Sequence, residues 1–241
     1  MIQVKNISFS YADNKKNKEK LILVNINFKI KKSEFVSILG PSGCGKTTLV
    51  NILAGYLELK NGEILINKKI VKTPGKNRIV VNQENDLFAW QSVLGNMQMV
   101  CSNKSEIEQK LELVGLGESK NLYPSSLSGG MKKRISLARA LAPSPEFLIL
   151  DEPFASLDHK MREELQMQLD RVFFLTKKTT LLVTHDIDEA IFLSDRIIVL
   201  GKNPAKIINE LEINFPHPRK NSIKTTRKFI SLKKQIKKTF N

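Results

Sequence analysis

Gly40-Pro41-Ser42-Gly43-Cys44-Gly45-Lys46-Thr47 is the stretch on which the fold reading turns, and Leu127-Ser128-Gly129-Gly130-Met131 narrows it. The first fits G-x-x-x-x-G-K-[ST], a loop whose backbone N–H groups wrap nucleotide phosphates. Gly40, Gly43 and Gly45 let the backbone approach phosphate oxygens that side chains would hold off. Phe35-Val36-Ser37-Ile38-Leu39 reads as an apolar strand running into the loop, and a helix is expected from about Lys46 to Ala54. Such a helix offers unsatisfied N–H groups and about half a positive charge at its start. Lys46 is placed to reach the β- and γ-phosphates, the Thr47 hydroxyl to bind Mg²⁺, and Thr48 to lie toward the α-phosphate. Alone, the loop says only that ATP or GTP binds.

Four further residues stand at the ends of three expected strands. Asp151 and Glu152 end the apolar run Phe147–Leu150. In a parallel sheet the strand C-termini face the ligand crevice, which brings both carboxylates beside the phosphate loop. Asp151 then suits Mg²⁺, and Glu152 suits a general base that polarises the attacking water. Gln83 follows Arg78–Val81 and carries a neutral amide able to ligate Mg²⁺ or water. His185 follows Thr180–Val183; a lone histidine is more often structural. The second stretch opens another helix, whose Ser and glycines present N–H groups. On that helix Met131, Ile135, Ala138 and Ala142 mark the buried face, leaving Lys132, Lys133 and Arg134 outside.

The chain has 241 residues, enough for a sizeable core, and its 41% hydrophobic content is ordinary for a soluble globular protein. No apolar run approaches the roughly 18–20 residues that cross a bilayer, and Met1–Asn6 lacks the apolar centre of a secretory signal. The two cysteines, Cys44 and Cys101, form no framework, so a reducing cytoplasm is the simple reading. Cys44, near a helix N-terminus, is expected to have a lowered pKa and to be reactive. The net charge of +15 is compatible with nucleic acid, anionic lipid or a merely solvated basic surface. Part of it is local: Lys15, Lys16, Lys18 and Lys20 fall in one polar loop, and 217–241 holds nine basic residues without an acid.

Ile2, Val4, Ile7 and Phe9 alternate imperfectly, and 21–30 gives a second strand with Leu23, Asn25 and Asn27 on one side and Val24, Ile26 and Phe28 on the other. From about 91 to 140 the β pattern gives way to helices. There Ser105-Glu106-Ile107-Glu108 has the form of a capping box, with Ile107, Leu111 and Val114 on one helical face. Strands and helices alternate again after Phe147, which argues a mostly parallel, doubly covered α/β sheet. At the end, Phe229, Leu232, Ile236 and Phe240 form a helical stripe, expected to pack on the core; a basic helix lying on an anionic membrane is the alternative.

With these motifs in this order, the chain resembles the ATPase subunits of ATP-binding cassette (ABC) transporters over roughly residues 1–216, with the helical insertion about 91–140 and a basic tail 217–241. The resemblance implies a P-loop core, an N-terminal antiparallel β subdomain, and ATP with Mg²⁺ as cofactors. It implies that Gln83 couples nucleotide to the helical subdomain, that His185 contacts the γ-phosphate and that Tyr11 stacks on adenine, with a core or edge-strand tyrosine as the competing reading. It also implies a head-to-tail dimer in which Leu127, Ser128, Gly129, Gly130 and Met131 close on the partner copy's ATP, with Asp158 at that interface. Integral-membrane permease subunits are the implied partners, a solute-binding protein an indirect one, and the cytoplasmic membrane face the location; nucleic acid is not expected.

Leu127–Arg134 with Met131, the segment Asp151–Asp158, Thr184–Ala190 and Phe215-Pro216-His217-Pro218-Arg219 resemble the nitrate, sulfonate, taurine and thiamine-precursor importers. Ser33, Asn82 and Ala89-Trp90 depart from the common glycine, phenylalanine and Pro-Trp. An exporter-type ATPase stays as an alternative, as does a soluble nucleic-acid-associated cassette. The short spacing between phosphate loop and Ser-Gly-Gly turn is unlike the long coiled coil of chromosome-maintenance ATPases.

Overall fold

A computed structural model describes residues 1–13, 18–84, 86–155, 157–202 and 204–240. β1 (Ile2–Asp13) and β2 (Lys18–Ile30) pair antiparallel, with Ile2 opposite Ile30. The loop expected between them, with Lys15 and Lys16, lies outside the described residues. The imperfect alternation has a structural cause, since the pairing slips between Val4 and Ile7 and again between Ile7 and Phe9. In β2 the expected faces are corrected: Leu23 is buried in one cluster with Ile26 and Phe28, while Asn25 and Asn27 are exposed. Ile7 and Phe9 oppose Ile26 and Leu23, so β2 carries an extra residue there, and Asn25 takes φ of 48° within that bulge.

β3 (Phe35–Leu39) is buried throughout and leads through the glycine loop into α1 (Lys46–Ala54). β4 (Asn61–Ile66) pairs with β1, and the short β5 (Lys69–Ile70) with β4, completing an antiparallel sheet in the order β2-β1-β4-β5. β6 (Arg78–Val81) precedes the helical insertion of α2 (Val93–Gln98), α3 (Lys104–Leu113) and α4 (Gly129–Leu141). The cap of α3 differs from expectation. Asn103 accepts from Ser105 N and Glu106 N, so Ser105 already lies inside the helix and no Ser105–Glu108 box forms. Asn wins because it precedes the first helical residue and its side-chain oxygen reaches the orphan N–H groups first.

The rest of the chain alternates β7 (Phe147–Asp151), α5 (His159–Thr176), β8 (Thr179–Thr184), α6 (Ile187–Leu193) and β9 (Arg196–Leu200), then β10 (Ile207–Glu212) and α7 (Arg227–Thr239). The large sheet runs β10-β9-β3-β8-β7-β6, parallel except for β10. It is the α/β arrangement expected from the sequence. The sheet separates two apolar clusters: Leu148, Leu150, Leu182 and Val199 face one side, Ile149, Leu181, Val183 and Ile198 the other. Each such side chain contributes about 1.5–3 kcal/mol by leaving water. Strands covered on both faces read as unbroken apolar runs, which is why they were visible in the sequence.

The basic segment does not stand off this core. Phe229 and Ile236 of α7 are buried in the cluster that contains Phe192 of α6, and Lys233 lies 2.6 Å from Asp188. The segment before α7 is clasped too. His217 places Nδ1 against Asp170 Oδ1 and Nε2 3.1 Å from Asp195 Oδ1, and the Arg219 guanidinium donates to the carbonyls of Ile191 and Phe192. Among the described residues no helix is long and apolar enough to cross a membrane.

Candidate nucleotide site

The glycine loop turns tightly at the C-terminal end of β3. Gly45 caps α1 with φ of 109°, and a Cβ there would come 2.8 Å from Ile22 Cγ2. Only glycine fits both that conformation and that approach. Lys46 is almost wholly buried, and its ammonium donates to the carbonyls of Gly40 (3.0 Å) and Pro41 (3.1 Å). Thr47 is exposed at the rim and Thr48 is buried behind it. An open cleft of about 270 Å³ is lined by Ser42, Gly43, Gly45, Lys46, Thr47, Thr48 and Glu152. A larger cavity, about 550 Å³, opens at the opposite ends of β3 and β8 beside Ser33 and Thr179. It holds none of the expected site residues, and chemistry, not size, marks the smaller cleft.

The carboxylates arrive where the topology requires. Asp151 is the last residue of β7 and pairs with Val183 of β8; Glu152 N donates to the Val183 carbonyl at 2.9 Å. Glu152 is held at φ of 45°, turning its side chain between two partners. Its Oε1 lies 3.4 Å from Lys46 Nζ and its Oε2 3.0 Å from His185 Nδ1. Burial raises Asp151 to about 6; the charge of Glu152 adds to this and Lys46 opposes it. Lys46, Glu152 and His185, brought from three strand ends, therefore form one contiguous cluster.

Tyr11 is partly exposed, its ring edge-on to Phe9 and its hydroxyl 3.5 Å from Thr48 Oγ1, so it stands at the rim of the same loop. Gln83 is exposed just beyond β6, with its main-chain carbonyl accepting from Lys133. Leu127 is buried, whereas Ser128 caps α4 by accepting from Met131 N at 3.2 Å, with Gly129 and Gly130 in the first turn. None of these five residues lines the cleft at Lys46. Asp158 caps α5 by accepting from Met161 N at 2.9 Å. Ser156, beside it, lies outside the described residues.

Two expectations are corrected here. Cys44 is 2% exposed inside an apolar cluster, and burial raises its pKa despite the opposing pull of Lys46. The backbone N–H of Lys46 at the start of α1 does pull that pKa down, but burial outweighs it. Lys133, placed on the outer face of its helix, is 4% exposed and is covered by the loop after β6. Sequence reasoning also missed Glu189. It accepts from the Thr184 hydroxyl at 2.6 Å, and that hydroxyl accepts from Asp186 N, bracketing His185. Burial pushes Glu189 to about 7. Its position three residues after a helix-capping Asp186 was the available signal, but a glutamate in a first helical turn reads as a solvated one.

A family description for ABC transporters matches residues 23–155. The aliphatic sulfonates import ATP-binding protein SsuB of Bacillus cereus is 40% identical over 224 residues, covering 91% of this chain and 88% of that protein. The nitrate import ATP-binding protein NrtD of Synechococcus elongatus is 40% identical over 206 residues, 81% of this chain and 75% of its own. Among solved structures, the dimeric bacterial ABC transporter cassette MJ0796 superimposes with a TM-score of 0.75 at 28% identity, covering 90% of this chain and all of that one. The same cassette bound to ADP and phosphate after hydrolysis gives 0.73 at 27% identity, with the same coverage. A match spanning over half the chain, with relatives this similar along nearly all of it, makes the kinship plain: this chain belongs to the ABC transporter family, as one of its ATP-hydrolysing cassettes.

Proposed function

We propose that this chain powers uptake of a small solute of the sulfonate, nitrate, taurine or thiamine-precursor class, acting at the cytoplasmic face of the membrane on partner permease subunits. The kinship to sulfonate and nitrate import proteins supports the branch. The observation that carries the chemistry is Glu152 held between Lys46 and His185 at the mouth of the glycine loop.

Lys46 divides its charge between Glu152 and two loop carbonyls. An incoming γ-phosphate offers Lys46 a stronger anion, which frees Glu152 toward water. Water oxygen attacks the γ-phosphorus, Glu152 takes the water proton, and the bond to the β–γ bridging oxygen breaks to release ADP. His185 donates to the γ-phosphate while Glu152 orients its ring. The Thr47 hydroxyl, the Asp151 carboxylate and the Gln83 amide are hard oxygen donors of the kind that would hold Mg²⁺, and a cation there would offset the burial that raises Asp151 to about 6. When bound, Mg²⁺ neutralises charge developing on the β- and γ-phosphates. Tyr11 stacks on adenine, which reads a ring face and selects weakly among bases.

The site is completed in trans. Ser128 and Gly130 of a second copy supply N–H donors to the γ-phosphate, with Asp158 alongside, giving a head-to-tail dimer around two ATP molecules. The permease docks between Gln83 and about Met97, where Trp90 is 72% exposed beside Phe88. A separate binding protein delivers the solute outside. The test is uptake by membrane vesicles carrying this chain with its permease subunits. ATP-dependent uptake of one solute class, lost with Glu152→Gln, is expected; efflux, or uptake indifferent to that variant, overturns the reading.

A further inference from the structure

We infer that Lys133 is a positioning residue that ties the loop bearing Gln83 to the helix opened by Ser128, so that loop and helix move as one body. The inference rests on the role given to Gln83 above. Beyond Val81 the pairing of β6 with β7 ends, and the carbonyls of Asn82 and Gln83 lose their sheet partners. The Lys133 ammonium reaches both, at 3.3 Å to Asn82 O and closer to Gln83 O. Further along α4, Ser136 Oγ donates to Asp86 Oδ1 at 3.2 Å, and the Arg139 guanidinium lies 2.6 Å from Asp86 Oδ2 and over the Phe88 ring. Donors spaced three residues apart on α4 thus grip the loop in sequence order.

Lys133 is the rung nearest the chemistry. Hydrogen bonds from a charged donor are roughly twice as strong as neutral ones. A buried ammonium is costly unless its partners stay with it. Burial lowers the Lys133 pKa, and the nearby charges of Asp86 and Glu84 hold it up. Lys133 therefore keeps its carbonyl partners wherever α4 goes, and Gln83 is carried along.

The chain holds its own reporter, since Trp90 is its only tryptophan and sits in the gripped segment with its ring 5.2 Å from Phe88. The experiment uses the full chain as parent, Lys133→Met and Gln83→Ala. It measures kcat and KM for Mg-ATP, binding of a fluorescent nucleotide, thermal melting and Trp90 emission. Lys133→Met is expected to lower kcat about tenfold, to leave KM and nucleotide binding within about twofold, and to abolish the nucleotide-dependent change in Trp90 emission. If the methionine variant does not fold, Lys133→Gln, one bond shorter, takes its place with the same readouts. Parental kcat and emission response in the Lys133 variant, while Gln83→Ala is slow, overturn the inference and leave the Gln83 role standing. Equal losses in kcat and nucleotide binding also overturn it, as does a parent whose Trp90 ignores Mg-ATP. Gln83→Ala turning over at the parental rate removes the Gln83 role itself, and the inference with it.

Discussion

His185 Nδ1 lies 3.0 Å from Glu152 Oε2, across a junction where two adjacent parallel strands end. The contact orients the imidazole, whose other nitrogen has no partner among the described residues, and it leaves Oε1 of Glu152 to face Lys46. In the proposed mechanism this carboxylate takes the water proton once Lys46 turns to phosphate.

Glu152→Gln keeps this shape and removes the proposed base. Steady-state ATP hydrolysis is expected to fall by about 10²–10⁴-fold, while equilibrium binding of ATP stays within a few-fold of the parent. Trapped nucleotide should hold the chain as a dimer in light scattering, and a bulky residue at Ser128 should abolish that dimer. Hydrolysis by Glu152→Gln at the parental rate would assign the base elsewhere.

The thiols give a check on packing. Cys44 is buried with a raised pKa, whereas Cys101 is only half-buried. In the native chain, maleimide should label Cys101 quickly and Cys44 slowly, with both labelled in denaturant. Mass spectrometry of the labelled peptides reads the outcome, and rapid native labelling of Cys44 would contradict the packing of the loop against β2.

How much of this was legible in the sequence follows from where each determinant sits. The β3–loop–α1 unit was readable to the residue because glycine conformation, strand apolarity and helix start are all local. Asp151 and Glu152 were readable because strand ends in a parallel sheet converge, whereas His185 stood out only through the family resemblance. The bulge at Asn25 was not, since only pairing with β1 reveals the change of phase. Lys133 was misplaced because its partners lie about fifty residues away, on a loop that helical periodicity cannot see. His217 and Arg219 were recognised as a sequence motif, but their partners Asp170 and Asp195 come from α5 and the residue just before β9.

Trp90 separates coupling from chemistry better than Phe88 does. Phe88 is fixed by Asn96 through both its N–H and its carbonyl, so altering it disturbs the loop itself. Trp90→Ala removes an exposed ring, and large exposed apolar groups mark partner surfaces. Solute uptake should fall far more than the ATPase activity of the isolated chain. Equal losses of both would place Trp90 in the fold and not at the permease.

The clasp at His217 predicts a pH-dependent stability with a definite sign. Burial would push the imidazole down, but hydrogen bonds to Asp170 and Asp195 outweigh burial and the nearby Arg219 charge, raising its pKa. Both ring nitrogens face carboxylate oxygens, an arrangement that only the doubly protonated ring satisfies. A group whose pKa is raised on folding stabilises fully below its unfolded value, and that stability is lost as pH rises through the folded value. The melting-temperature advantage of the parent over His217→Gln should therefore be largest below the ordinary histidine range and shrink as the solution is made alkaline. The clasp secures the segment leading to α7, whose Phe229 is 2% exposed. Phe229→Ala should cost about 3–5 kcal/mol on either side of that range, giving a control that destabilises without titrating. A parent–His217→Gln difference that is flat across this range would mean that the imidazole is not charged in the clasp.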